Sequence, residues 1–178
     1  MVCPEMFITG YAIGAPAVQA LAQAADGTWA DAVATIAQRH QVAVAYGYPE
    51  RGADDRVFNA AQWINASGRR CLNYRKAYLF GDLDRSQFVA EAQSARTFDF
   101  HGWKVGMLIC YDVEFPEATR ALALAGADLI VVPTANMADY DFVARSLVPV
   151  RAYENQLFVA YANFTGPEGA LDYGGLSV

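Results

Sequence analysis

Basic charge is scarce in this chain. Over 178 residues, 13 lysines and arginines stand against 19 aspartates and glutamates, for a formal net charge of −6. A nucleic acid or an anionic membrane would need a concentrated basic face, so neither is expected as a partner. Long apolar runs are missing too. The longest, around Gly106–Cys110 and Asp128–Val132, fall well short of the roughly 20 residues that span a bilayer. The opening Met-Val-Cys-Pro-Glu has neither the basic head nor the apolar stretch of a signal peptide, and a cytoplasmic protein is expected. Cysteine and histidine are few: Cys3, Cys71 and Cys110, with His40 and His101. No Cys-x-x-Cys pair and no zinc-like spacing occur among them, so reduced thiols without a metal are expected. What abounds is apolar: hydrophobic residues make up 54% and charged residues 18%, which is material for a globular core and excludes a disordered chain. The length suits one domain spanning 1–178.

Periodicity divides the chain into alternating elements. Val2–Glu5 reads as the end of a strand, and a glycine-containing loop follows over Thr9–Gly14. Helices are expected over Pro16–Ala25 and Thr28–His40, the second with Trp29, Val33, Ile36 and Ala37 on one face and Asp26 or Thr28 as its cap. Gln41–Tyr48, Val57–Asn65 and Arg69–Arg75 read as a β-meander. Lys76–Ala95 lacks a period and is expected to be a long surface loop with room for a helical turn. A second hairpin covers Thr97–Phe100 and Trp103–Ile109. A helix follows over Glu117–Ala125, with Pro116 at its start, and then a strand, Leu129–Val132, stopped by Pro133. Asp139–Gln156 has a helical pattern that Pro149 should kink or split. Leu157–Ala162 is the last expected strand, before a glycine-rich tail. Helices alternating with strands and hairpins define an α/β chain with a mixed sheet.

The strongest chemical signal is Cys110 at the junction of an apolar strand and a helix. There, unpaired backbone N–H groups and the helix dipole favour a thiolate and can hold an oxyanion. The local pattern leaves two readings open: a nucleophile, or a small buried residue ending a strand. A nucleophile needs a base. His40 falls near a helix C-terminus and His101 in a hairpin turn, so both read as surface residues. A carboxylate or a lysine is left for the role. Glu5 and Lys76 each end an expected strand, and in α/β sheets functional groups collect at strand ends. Carboxylate, ammonium and thiol are therefore expected to converge at one rim.

Three segments carry a resemblance. Pro4-Glu5-Met6-Phe7 with Tyr11, Tyr74-Arg75-Lys76-Ala77-Tyr78 and Cys110-Tyr-Asp-Val-Glu-Phe-Pro-Glu117 resemble the nitrilase, or carbon–nitrogen hydrolase, superfamily. Weaker echoes are Ala127–Pro133, Arg151–Asn155 and Ala162-Asn163. The resemblance implies an αββα sandwich, association as a homodimer or higher homo-oligomer, and hydrolysis of a non-peptide C–N bond in a small-molecule substrate, with no metal or cofactor. Residue by residue, Glu5 resembles the family's general base, Lys76 its oxyanion-binding lysine and Cys110 its nucleophile. The family's second glutamate, shortly after the lysine, has no match in Gly81–Arg85; Asp82 and Asp84 are the two stand-ins. Tyr111-Asp112 after the cysteine resembles the amidase and carbamoylase branches more than true nitrilases, so an amide substrate is expected. Tyr11, Tyr111, Asn136 and Phe164 are candidates for lining its pocket.

The family's first strand and helix normally precede the Pro-Glu motif, and further strands follow the Gly-Gly-Leu-Ser segment. The resemblance therefore implies a fold truncated at both ends. Three rivals stand beside an amidase: a non-catalytic member acting by association, a nitrilase or N-carbamoyl hydrolase of the same family, and a Cys–His thiol hydrolase using His40 or His101.

Overall fold

The structure, a computed structural model, describes residues 1–178. The strand end expected over Val2–Glu5 is confined to Met1–Cys3, and Glu5 already lies in the turn that follows. Met1–Cys3 lies parallel to strand β1 (Val44–Arg51), with Ala45 N–H donating to Met1 O at 2.9 Å and Cys3 N–H to Ala45 O at 2.8 Å. Helix α1 is Ala15–Leu21, shorter than the pattern suggested. Its continuation is drawn off as Gln23 bridges to β1, donating to Pro49 O and accepting from Arg51 N–H. Helix α2 spans Thr28–His40 as expected. Its cap is neither Asp26 nor Thr28: Gln23 Oε1 accepts from Trp29 N–H at 3.1 Å and from the Thr28 hydroxyl at 2.7 Å. Its buried stripe is Ala30, Val33 and Ala37, and Ile36 faces solvent.

Strands β1, β2 (Val57–Ile64) and β3 (Arg70–Arg75) form the expected antiparallel meander. Its two faces differ. Tyr46, Tyr48, Ala60 and Ile64 pack under Val33 and Ala37 of α2, while Ala45, Ala61, Trp63, Leu72 and Tyr74 enter the main core. The stretch after Lys76 is not only loop: it holds helix α3, Gly81–Gln87. The periodicity was silent because the residues α3 buries most deeply, Asp84 and Gln87, are polar.

The second sheet runs β4 (Thr97–Phe100), β5 (Trp103–Met107), β6 (Leu129–Thr134), β7 (Phe158–Asn163), with β4–β5 antiparallel and β5–β6–β7 parallel. It packs face to face on the meander, where Trp63 meets Phe98 and Phe100 at ring-centre distances of 5.3 and 5.0 Å. On the outer face lie α4 (Pro116–Leu124) and α5 (Val148–Asn155). Leu122 of α4 sits over Gly106, where a methyl group would approach it to 2.7 Å. The layers are helix, sheet, sheet, helix, the expected αββα arrangement.

Three further expectations are corrected or sharpened. Pro133 lies inside β6. Val131 O accepts from Leu108 N–H, so the proline nitrogen two residues on faces the same side, where β5 has already ended at Met107 and no ladder is broken. Pro149 splits its helical segment as foreseen, leaving a π-helical turn over Val143–Leu147 ahead of α5. The glycine-rich tail contains a hairpin, β8 (Thr165–Glu168) and β9 (Leu171–Gly174), and Val178 then pairs with Tyr161 of β7. No helix is long and apolar enough to cross a membrane.

Candidate active site

After Pro4 the chain leaves its strand in a tight turn. Met6 takes a φ of 50°, and Thr9 and Gly10 N–H both donate to Met6 O. This turn rests on β1 at Gly47, where a methyl group would lie 2.4 Å from Met6 N and 2.8 Å from Glu5 Cα. Only glycine admits so close a backbone approach. Glu5 N–H also donates to Thr134 O at the end of β6, so Glu5 sits where the two sheets meet.

Lys76 directly follows β3, its N–H donating to Asn59 O at 2.8 Å. The Lys76 and Glu5 side chains are both fully buried. Lys76 Nζ donates to Glu5 Oε1 at 2.7 Å and to Asp84 Oδ2 at 2.7 Å. Asp84 is held in turn by the Tyr11 hydroxyl on Oδ1 and by Phe80 N–H on Oδ2, each at 2.8 Å. One ammonium thus bridges two buried carboxylates.

Cys110 opens a 3-10 turn, Cys110–Glu114, and carries a φ of 45°. A non-glycine residue in that region is uncommon and marks a conformation that its surroundings enforce. Asp112 does the enforcing. Its Oδ2 accepts from Ile109 N–H and the Tyr74 hydroxyl, each at 3.0 Å, and its Oδ1 from Tyr78 N–H at 2.8 Å and Ala77 N–H at 3.2 Å. The last two bonds tie the cysteine turn to the segment immediately after Lys76. Arg151 braces the far end, donating to Val113 O and Glu114 O.

The electrostatics follow from burial. Desolvation pushes the Glu5 carboxyl up, against the opposing pull of Lys76. Burial acts to lower the Lys76 ammonium, but Glu5 and Asp84 together outweigh it and hold it well above its ordinary value. Burial and the Glu5 charge push the Cys110 thiol well up, with Lys76 and the Ala135 N–H opposing. The resting site thus combines a thiol, a carboxyl of raised basicity and an ammonium held charged.

The structure decides between the two aspartates. Asp84 lies on Lys76, whereas Asp82 is fully solvent-exposed, 3.9 Å from Arg85. Tyr11 is 1% exposed and serves as a strut between Asp84 and Glu168, whose Oε1 accepts from Tyr11 N–H at 2.9 Å. Asn136 donates from Nδ2 to Tyr140 O, and its backbone groups bond the Asn163 side chain, so it stitches the ends of β6 and β7. The Tyr111 ring packs between Phe80 and Phe115. Beside Phe80, a cleft of about 370 Å³ is lined by Met137, Tyr140 and Leu171. Phe164 stacks on Tyr173 at 5.4 Å. His40 and His101 are both exposed. Asn59 and Glu168 join the site without having been singled out by the sequence, and Asp112, quoted there only within the cysteine motif, joins it as a brace. Asn59 left a trace, as an amide inside an otherwise apolar start to β2.

Sequence comparison agrees with this geometry. Residues 1–178 match the carbon-nitrogen hydrolase family, and the chain belongs to it. It is 55% identical over 177 residues to a protein of Pseudomonas protegens described as "Hydrolase in pqqF 5'region", covering 99% of this chain and 62% of that protein. It is 36% identical to an (R)-stereoselective amidase of a Pseudomonas species, covering 93% of this chain and 59% of that enzyme. The chain thus spans about three-fifths of the length of these curated relatives. Among solved structures, an amidase from Nesterenkonia sp. AN1 superimposes with a TM-score of 0.87 at 33% identity, covering 99% of this chain and 67% of that one. In that structure, a glutamate-to-glutamine variant, the active-site cysteine carries the acetamide moiety of fluoroacetamide. A variant with that cysteine changed to alanine was solved with butyramide.

Proposed function

We propose that this chain hydrolyses a small amide to a carboxylate and ammonia or an amine through a thioester on Cys110. Glu5 takes the Cys110 proton as the sulfur attacks the carbonyl carbon. The resulting oxyanion is held by the Lys76 ammonium and by the N–H of Tyr111, near the start of the 3-10 turn, where N–H groups lack intrahelical acceptors. Each such preorganised donor is typically worth about 3–4 kcal/mol. As the tetrahedral intermediate collapses, the C–N bond breaks and Glu5 protonates the leaving nitrogen. Water then attacks the thioester, Glu5 takes its proton, and the sulfur departs to regain one.

The observation that carries this reading is the fully buried Glu5–Lys76–Asp84 cluster. Burying three ionisable groups together carries a desolvation cost, and such clusters gather at functional sites. The amidases among the relatives support an amide rather than a nitrile, and the short amides bound to the Nesterenkonia enzyme support a small acyl group. Leu124, Val150 and Tyr153, exposed on α4 and α5, support a homo-oligomer, which we place in the cytoplasm.

Peptide mass mapping after incubation with butyramide tests the reading. A butyryl adduct is expected on Cys110, with ammonia released, and both should vanish in Cys110→Ala. Ammonia release that persists in Cys110→Ala would overturn it.

A further inference from the structure

The Glu5 carboxylate is held unevenly. Oε1 accepts from two donors, Lys76 Nζ at 2.7 Å and Asn59 Nδ2 at 2.6 Å, whereas the equally buried Oε2 has no partner in the chain. Asn59 is itself fully buried, in the first half of β2, and its backbone carbonyl accepts from Lys76 N–H. One residue therefore anchors both members of the ion pair, the lysine through its main chain and the glutamate through its amide. The amide orientation follows from chemistry, because only the NH2 side attracts a carboxylate. Its oxygen is left without a donor, so the bond to Glu5 is what the buried side chain supplies.

We propose that Asn59 is a positioning residue that, together with Lys76, saturates Oε1 and leaves Oε2 as the atom that exchanges protons with sulfur and leaving group. This rests on the amidase reading above. The S–H bond of Cys110 breaks as an Oε2–H bond forms, and that proton passes to the departing nitrogen when the C–N bond breaks. Asn59 has a second effect. Its bond favours the ionised Glu5 and so opposes the upward push of burial. Without it the base stays protonated to higher pH.

The experiment measures kcat and KM for butyramide against pH in the full chain, in Asn59→Leu, in Asn59→Ser and in Glu5→Gln, with circular dichroism confirming the fold of each. In Asn59→Leu the acid limb of kcat/KM should move upward by about one to two pH units, the shift that one hydrogen bond to a charged group supplies. KM should stay within about twofold, because Asn59 is fully buried and acts through Glu5. Asn59→Ser should show the same displacement and carries the test if the leucine variant does not fold. An unmoved acid limb in a folded Asn59 variant, with Glu5→Gln inactive, overturns the role of Asn59 alone. Turnover that survives in Glu5→Gln overturns the amidase reading itself.

Discussion

Lys76 spends its single charge on two carboxylates, and removing either leaves a different deficit. Without Glu5 the proposed base is gone. Without Asp84 the ammonium is free to drift, because one of its two side-chain contacts at 2.7 Å disappears and the Tyr11 hydroxyl loses its acceptor. Asp84→Asn keeps one oxygen for these donors and turns an NH2 toward the rest, so it is expected to lower kcat by roughly 10–100-fold, the scale of one lost hydrogen bond to a charged group. Asp82→Asn, two residues away and in full solvent, should leave kcat and Tm unchanged. Equal effects of the two substitutions would contradict this arrangement. At this scale Glu5, Lys76 and Cys110 were legible as strand-end residues of complementary chemistry. Choosing Asp84 over Asp82 was not, because that depends on which face of α3 turns inward. Tyr11 was legible as important but not in its role, since a strut and a pocket wall look alike in a sequence.

The elements hold these residues through a few close approaches. Gly47→Ala would drive a methyl group into the main chain of the Glu5 turn, where nothing flexible can yield. Overpacking of this kind costs about 1–3 kcal/mol. Thermal unfolding should show the lowered Tm, and kcat should fall at least as far as in Asp84→Asn, because the turn that moves carries the base. A Gly47→Ala protein with unchanged kcat would show that the turn has slack. The meander, α2, the second hairpin and the proline-split helix were all readable from their periods. The shortened α1 and the cap of α2 trace to Gln23, while two other departures share one cause. In α3 and in the β8–β9 hairpin, polar side chains such as Asp84 and Glu168 do the anchoring, and a hydrophobic pattern cannot report that.

For the molecule as a whole, buried acids set the response to pH. Burial raises Asp112 from 3.8 to about 6. As pH rises, the unfolded chain releases this proton first and the folded chain only near pH 6. Asp112 thus favours folding most below about pH 4, and that contribution is lost by about pH 6. That contribution is on the order of 3 kcal/mol. Glu5 is shifted in the same direction for the same reason. Tm should therefore decline between pH 4 and pH 6, and more shallowly in Asp112→Asn, which has no proton to lose there. Identical slopes for the two proteins would refute the assignment. The two-sheet sandwich itself was legible from the order of elements and from the family resemblance. That Asp112 fastens the lysine segment to the cysteine turn was not, because its four donors arrive from residues 34 or more positions away as well as from its own turn.

The bond from Tyr11 N–H to Glu168 joins positions 157 residues apart. A ribosome adding about 5–20 residues per second takes roughly 8–30 seconds to cover that distance. Throughout that interval a nascent chain holds Tyr11 without the acceptor that fixes its backbone, so the strut on Asp84 stays unlocked at one end until Glu168 has left the ribosome.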